Sequence, residues 1–373
     1  MNWRSRMPKG MHLKSDGFAS SLIDPQRSFT LRKYCGDQGI PYADLGLPVA
    51  LETFWSYGLA FQKQMVPSLD TRTVAELSRT PEGFRLTLSD GERLAARRVI
   101  VATGITYFEY LPEELRSLPR SHCSHSADNH DLSRFRGREV LVLGRGASST
   151  DIAALLLDQG ASVQIVSRQP VEFHQPPGNK PRSLWQRMRN PNLGLGPSWR
   201  SAVYTFFVGQ FRFLPGDLRL RIIKRHLGPA AVWFIRDKLV QSVPMRSGYT
   251  LRGAAVRDDR VHIQFTHRDG STLELQADHV IAGTGYQADV KLLPFLDEAL
   301  RSQIVLEGTS PALSRNFESS VPGLYFVGLL SAVTFGPLTR FAHGAGFTAR
   351  NISAHLRRRR AQRATEDLIG SNP

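Results

Sequence analysis

The spacing of apolar positions changes period several times along the chain. Leu51, Phe54, Trp55, Leu59 and Met65 recur close to helical spacing and predict a helix over Leu51 to Met65. The period then shortens. Val74 to Leu77, Phe84 to Leu88 and Arg97 to Val101 read as short strands, with Pro81-Glu82-Gly83 and Asp90-Gly91 as the turns between them. Val140-Leu141-Val142-Leu143 is an unbroken apolar run, the mark of a strand buried on both faces. Gly144-Arg145-Gly146-Ala147-Ser148-Ser149 follows at once, then a helix over Asp151 to Gln159 stopped by Gly160, then a strand over Val163 to Val166. Residues 170–250 break this order. They are rich in Pro, Arg and aromatics, with one clear helix over Asp217 to Leu227 ended by Gly228 and Pro229. Strands return between Leu251 and Ala282, with Arg268-Asp269-Gly270 as a hairpin turn. Leu324 to Val327 is a further buried strand, Ala342 to Leu356 a helix, and Arg357 to Pro373 a basic tail expected to fray. No short repeat is present. One long echo is: hairpin strands lead into Val101-Ala102-Thr103-Gly104 and again into Ile281-Ala282-Gly283-Thr284-Gly285.

Composition narrows the class. With 373 residues, 41% hydrophobic and 22% charged, the chain has length for a full core and more than one domain. No apolar run reaches the ~18 residues of a spanning helix. The first residues are basic but lack the apolar centre of a signal peptide, so a cytoplasmic protein is expected. Cys35 and Cys123 stand too far apart for a CxxC pair and are too few for a disulfide framework or a Cys-rich zinc site. The net charge is +15, and residues 170–250 alone carry 13 Lys/Arg against 3 Asp/Glu. Without zinc-finger spacing or an RNA-binding aromatic motif, this charge reads as an Arg-rich composition that also favours a phosphorylated cofactor, and no nucleic-acid partner is expected.

The sharpest chemistry is the glycine turn. Gly144 permits a tight turn after the strand, and Gly146 lets backbone approach a pyrophosphate. The helix behind them, through Arg145, Ala147, Ser148 and Ser149, aims free amides and the positive end of its dipole at phosphate. Ser149 stands where a third glycine would pack helix against strand, and Ser148 and Ser149 offer hydroxyls. The strand–turn–helix–strand context turns a weak motif into a dinucleotide site. The next strand ends at Arg168, where an NAD site would carry Asp or Glu, so a 2′-phosphate and NADPH are favoured.

With Val101–Gly104, Gly144–Ser149, Ala282–Tyr286 and Gly323-Leu324-Tyr325-Phe326-Val327-Gly328 in that order, the chain resembles the two-dinucleotide flavoproteins. Within them it most resembles the flavin-containing and N-hydroxylating monooxygenases, the class B branch. The resemblance implies an α/β fold of the FAD/NAD(P)-binding, three-layer ββα, Rossmann-like type, with an NADP domain inserted in an FAD domain. The domains implied are 1–130 as the first part of the FAD domain, 131–286 as the NADP domain with a partly helical insert at 170–250, 287–356 as the second FAD part, and 357–373 as a basic tail. FAD and NADPH are the cofactors implied. A reduced flavin would react with oxygen, and a flavin hydroperoxide would oxygenate a nucleophilic N or S of a small molecule. Such chemistry needs no catalytic triad, and no catalytic residue is assigned. The resemblance also implies that the stretch from Met1 to Met11 follows the family's first βαβ unit. The glycine-rich FAD turn would then be missing, as from an internal start or a natural loss. By resemblance, Lys14 in the loop Gly10–Ser15, Thr103-Gly104 at the domain crossing, Thr284, Gly328 and the Phe335-Gly336-Pro337-Leu338 turn belong to the cofactor site.

His122-Cys123-Ser124-His125 and His130 match no usual metal spacing and read as a polar loop. His343 reads as a packed histidine in the last helix, and no metal is expected. Two other readings stay open: a remnant that holds NADP(H) without flavin, and an NADPH oxidase or reductase of the same fold. Substrate and oligomeric state are not legible in the sequence.

Overall fold

The structure, a computed structural model, describes residues 2–176, 184–189, 196, 198–226 and 230–370. The opening segment carries α1 (Asn2–Ser5), α2 (Leu31–Asp37) and α3 (Leu51–Met65), the last with the bounds its apolar spacing predicts. Thr30 starts α2 by accepting a hydrogen bond from the Lys33 amide at 3.2 Å. Leu31, Cys35, Phe54 and Tyr57 close these helices into a small core of their own, and the Tyr57 hydroxyl donates to the Phe29 carbonyl at 2.8 Å.

A three-stranded antiparallel sheet follows, β1 (Val74–Thr80), β2 (Gly83–Leu88) and β3 (Arg93–Ala96), and then β4 (Val99–Val101). The strand expected at Arg97 to Val101 is thus shorter, starting only at Val99, and β3 precedes it. The chain leaves the hairpin sheet at Ala96 and, after Arg97 and Arg98, enters a parallel pairing with a distant strand.

The central sheet has five parallel strands in the order β5 (Cys123–His125), β12 (His279–Ala282), β6 (Glu139–Leu143), β7 (Ser162–Ser167) and β8 (Met245–Ser247). Its apolar runs alternate between two cores because successive strand residues point to opposite faces. Val140, Val142, Val163, Ile165 and Ile281 meet α4 (Ala147–Asp158) on one side. Leu141, Leu143, Val166, Val280 and Ala282 meet the antiparallel sheet β9 (Tyr249–Arg257), β10 (Arg260–His267) and β11 (Thr272–Ala277) on the other. The result is the sheet–sheet–helix layering the resemblance implies. Strand β5 joins this sheet from ahead of residue 131. The segment expected to be a polar loop, His122 to His125, is therefore mostly a buried strand, because its pairing partner is Val280 to Ala282, far along the chain.

The insert contributes α5 (Leu184–Arg189), α6 (Trp199–Phe206), α7 (Gly216–Arg225) and α8 (Arg236–Ser242). Helix α7 agrees with the expectation over Asp217 to Arg225. It ends there, with His226 already extended, short of the expected Leu227, and Leu227, Gly228 and Pro229 lie outside the described residues. After α9 (Glu298–Ser302), the short pair β13 (Leu306–Glu307) and β14 (Ser310–Pro311) leads to β15 (Leu324–Phe326), which pairs in parallel with β4. The chain closes with α10 (Ala332–Phe335) and α11 (Ala345–Gly370). The tail expected to fray continues α11 through Gly370. His343 stands before that helix in a short turn, edge-on to Phe18.

Candidate dinucleotide site

Strand β6 ends at Leu143, and α4 begins at Ala147, four residues before the start that apolar spacing suggests. The turn between them is held by one crowded contact. Gly144 has φ 124°, and a Cβ there would lie 2.5 Å from the Gly283 carbonyl oxygen and 2.6 Å from Ser149 Oγ. A Cβ on Gly283 would lie 2.1 Å from the same hydroxyl. Ser149 is fully buried and donates to the Gly283 carbonyl at 2.9 Å. Its hydroxyl, expected to face phosphate, therefore faces the protein, because its place is the helix–strand contact of a third glycine. Ser148 keeps an accessible hydroxyl beside the first turn. Gly146 caps the helix, and the amides that open α4 have no partner within it.

Arg145 turns away from the turn, with Nη1 3.0 Å from Glu172 Oε1 and 3.3 Å from the Pro170 carbonyl. Arg168 is exposed at the end of β7, and its carbonyl accepts from Arg268 Nη2 at 2.7 Å. One guanidinium, that of Arg268, thus stands against the backbone of Arg168, a residue 100 positions away. Arg268 was read in sequence only as a hairpin-turn residue, and no local signal marks it.

Lys14 reaches the same cleft. Its ammonium donates to the Ala230 carbonyl at 2.9 Å. The side chain retains solvent contact, yet protein crowds the charged end, so burial lowers its pKa while the Asp151 carboxylate pulls it back up. Asp151 lies one turn into α4, only 9% exposed, beside a small cavity lined by Met7, Met11, Ala127, Ser148 and Tyr286. Burial pushes its pKa up to about 7 against the opposing charge of Lys14. The same lysine and its own burial hold His174 below the ordinary histidine value. Sequence reasoning missed Asp151. The signal is an acid inside the apolar face of a helix, directly before Ile152-Ala153-Ala154.

The remaining residues implied by resemblance divide between cleft and core. The Thr284 hydroxyl donates to the Tyr110 carbonyl, which ties the end of β12 to the domain crossing. Gly104, with φ 64°, follows Thr103, whose carbonyl accepts from the Thr106 hydroxyl at 2.8 Å. The Gly328 carbonyl accepts from Ser331 Oγ at 2.8 Å. Phe335 stacks on Phe317 at 3.9 Å between centroids, and Leu338 joins the same core, with Pro337 also buried. Gly336, at φ 88°, leaves room for Phe211, since a Cβ there would lie 3.1 Å from that ring. Side chains of this turn thus pack inward, leaving its backbone for any ligand. Arg340 fastens it to the insert, donating to the carbonyls of Ile223 at 3.3 Å and His226 at 3.0 Å.

The histidines are structural. His125 Nδ1 accepts from the Ala127 amide at 3.2 Å, so its proton lies on Nε2, which donates to the Gly285 carbonyl at 3.0 Å. His279 is pushed down to about 4 by burial and bonds Ser124 Oγ and the Ser121 carbonyl. His130 bonds the Met7 carbonyl. Among the described residues no cluster suits a metal ion.

Residues 57–183 match the family described as Pyridine nucleotide-disulphide oxidoreductase. The trimethylamine monooxygenase of Pelagibacter ubique is 34% identical over 186 residues, 45% of this chain and 42% of its own length. The FAD-dependent urate hydroxylase of Xanthomonas campestris is 38% identical over 85 residues, 22% of this chain and 18% of its own. The matches thus span less than half the length of these relatives. A solved structure of the ornithine N-hydroxylase of Kutzneria sp. 744, with reduced FAD, NADP+ and L-ornithine, aligns at TM-score 0.74 and 14% identity. It covers 96% of this chain and 90% of that one. The fold is that of this FAD/NAD(P)-binding structure, and in sequence part of the chain is similar to the trimethylamine monooxygenase.

Proposed function

We propose that the chain is an NADPH-dependent flavoprotein monooxygenase that oxygenates a nucleophilic nitrogen or sulfur of a small molecule. The observation that carries this reading is the glycine turn, where side-chain-free backbone meets the open end of α4. A pyrophosphate fits there: Gly144 and Gly146 keep the approach clear, and the amides of Ala147 and Ser148 with the hydroxyl of Ser148 supply donors. Arg168 at the end of β7, with Arg268 bound to its carbonyl, suits the 2′-phosphate, since guanidinium–phosphate hydrogen bonds are charge-assisted. Lys14 and Asp151 line the cleft beyond the turn. The lysine orients a polar group of cofactor or substrate, and Asp151, with its pKa near neutrality, can hold or release a proton there.

FAD is the second cofactor in this reading, and when bound it would pass reducing equivalents from NADPH to oxygen. This chain offers it the backbone at Thr103-Gly104, Gly328 and Gly336, turns that follow the parallel pair β4 and β15 or its neighbour α10. The insert, tied down through Arg340 and through Lys14, covers the cleft and keeps water from the reacting atoms.

Calorimetric titration of the protein with NADPH and NADH tests the first half. NADPH should bind more tightly, and Arg168→Ala should remove most of that preference, about tenfold or more, leaving NADH little changed. Equal losses for the two nucleotides would refute the phosphate assignment. Flavin absorbance in the purified protein, and NADPH consumption matched one-to-one by an oxygenated amine or thioether, test the second half. NADPH use that yields only peroxide would refute the monooxygenase.

A further inference from the structure

The insert carries an apolar face that no other described residue covers. Helix α6 is capped by Ser198, whose hydroxyl accepts from the Ser201 amide at 3.0 Å, and it packs inward through Ser201 and Ala202. Its opposite face presents Trp199, Val203 and Phe206, spaced by four and three residues and so aligned within one narrow stripe. Phe207 and Phe213 extend the stripe beyond the helix. These five side chains are between 46% (Val203) and 73% (Phe213) exposed. Single exposed apolar residues are ordinary, but several large ones aligned on one short helix mark a contact surface.

The charge around the stripe selects the partner. Between Ser198 and His226 the chain carries six Lys/Arg and one acid, Asp217, and of the six Arg219 is paired with Glu307. Arg200 is exposed next to Trp199, and the Arg212 guanidinium lies 4.6 Å over the Phe213 ring. A second copy docked face to face would set this basic surface against itself. A surface that is apolar at its centre, aromatic at its edge and basic at its rim matches an anionic lipid headgroup layer over acyl chains. No helix among the described residues is long and apolar enough to cross a membrane, so the contact would be interfacial.

We propose that the α6 face of the insert is a docking surface for an anionic bilayer. The aromatic stripe enters the headgroup–acyl boundary, and the surrounding arginines meet lipid phosphate. This assignment is independent of which redox reaction the cleft performs.

Co-sedimentation of the full chain with vesicles of phosphatidylcholine alone, and of phosphatidylcholine with phosphatidylglycerol, tests it. The protein should pellet with the second and not the first, lose binding as salt rises, and show a blue shift of tryptophan emission on binding. The double variant Phe206→Ser/Phe207→Ser should bind at least about tenfold more weakly. It should melt at the same temperature, because both rings are exposed in the folded chain. Absence of binding to anionic vesicles, or equal binding by the double variant, would overturn the proposal. So would a wild-type dimer in sedimentation equilibrium that the double variant converts to monomer, which would assign the face to a second copy.

Discussion

Ser149 and Ser148 are neighbours with opposite duties. Ser149 donates to the Gly283 carbonyl inside the fold, and Ser148 keeps its hydroxyl at the mouth of the turn. Ser149→Ala should therefore cost about 1–2 kcal/mol of stability, visible as a lower melting temperature. Ser148→Ala should leave melting unchanged and weaken NADPH binding in calorimetry. Reversal of these two effects would show that the hydroxyl roles are misassigned. Asp151 offers a second residue-scale test. Its folded pKa, about 7, stands above the ordinary value of 3.8. At low pH the carboxyl is neutral in both states and carries no penalty. As pH rises from about 4 to about 7 the unfolded chain ionises first, so folded stability falls, and above that window the loss is constant. Asp151→Asn should thus become progressively more stable than wild type across that interval, by a few kcal/mol at most. Parallel melting curves from pH 4 to pH 8 would contradict the buried, raised carboxyl.

At the scale of elements, helix α7 of the insert is held by polar contacts. Arg340 closes the C-terminal end of α7 by donating to two of its last carbonyls, and Arg219 joins α7 to Glu307 at 2.7 Å. Helix α7 has no fully buried residue of its own, so these polar clasps hold it more than packing does. Arg340→Met should free the helix end, at a loss of about 2–3 kcal/mol for a charged hydrogen-bond pair. Limited proteolysis should then cleave between Gly216 and His226 well before the rest of the chain. Unchanged protection of that segment would show that packing alone secures the lid.

Over the whole molecule, a net charge of +15 acts on every anionic ligand. NADPH carries one phosphate more than NADH, which the proposed function sets against Arg168 at the end of β7. Its affinity should therefore fall more steeply with salt, and the two slopes should converge in Arg168→Ala. Equal salt slopes in the wild type would separate the charge from nucleotide binding. The architecture gives the same residues their setting. The ββα layering packs α4 against the sheet by its apolar face, with Ala147 and Ser148 of its first turn half-buried.

The amino-acid sequence by itself determined the helix Leu51–Met65, the strand–turn–helix at Val140 to Asp158, the hairpins and the overall order of motifs. Each of these depends on short-range spacing, glycine geometry or turn chemistry. Where it fell short, the partner lay far along the chain. The strand expected from Arg97 starts only at Val99, where the pairing with Leu324–Phe326 begins, and Cys123–His125 is a strand because Val280–Ala282 lies beside it. The contact of Arg268 with the Arg168 carbonyl, the closeness of Lys14 to Asp151 and the inward turn of the Ser149 hydroxyl were decided by tertiary packing. A side chain's neighbours across 100 or more positions follow from how layers stack, which no local pattern records.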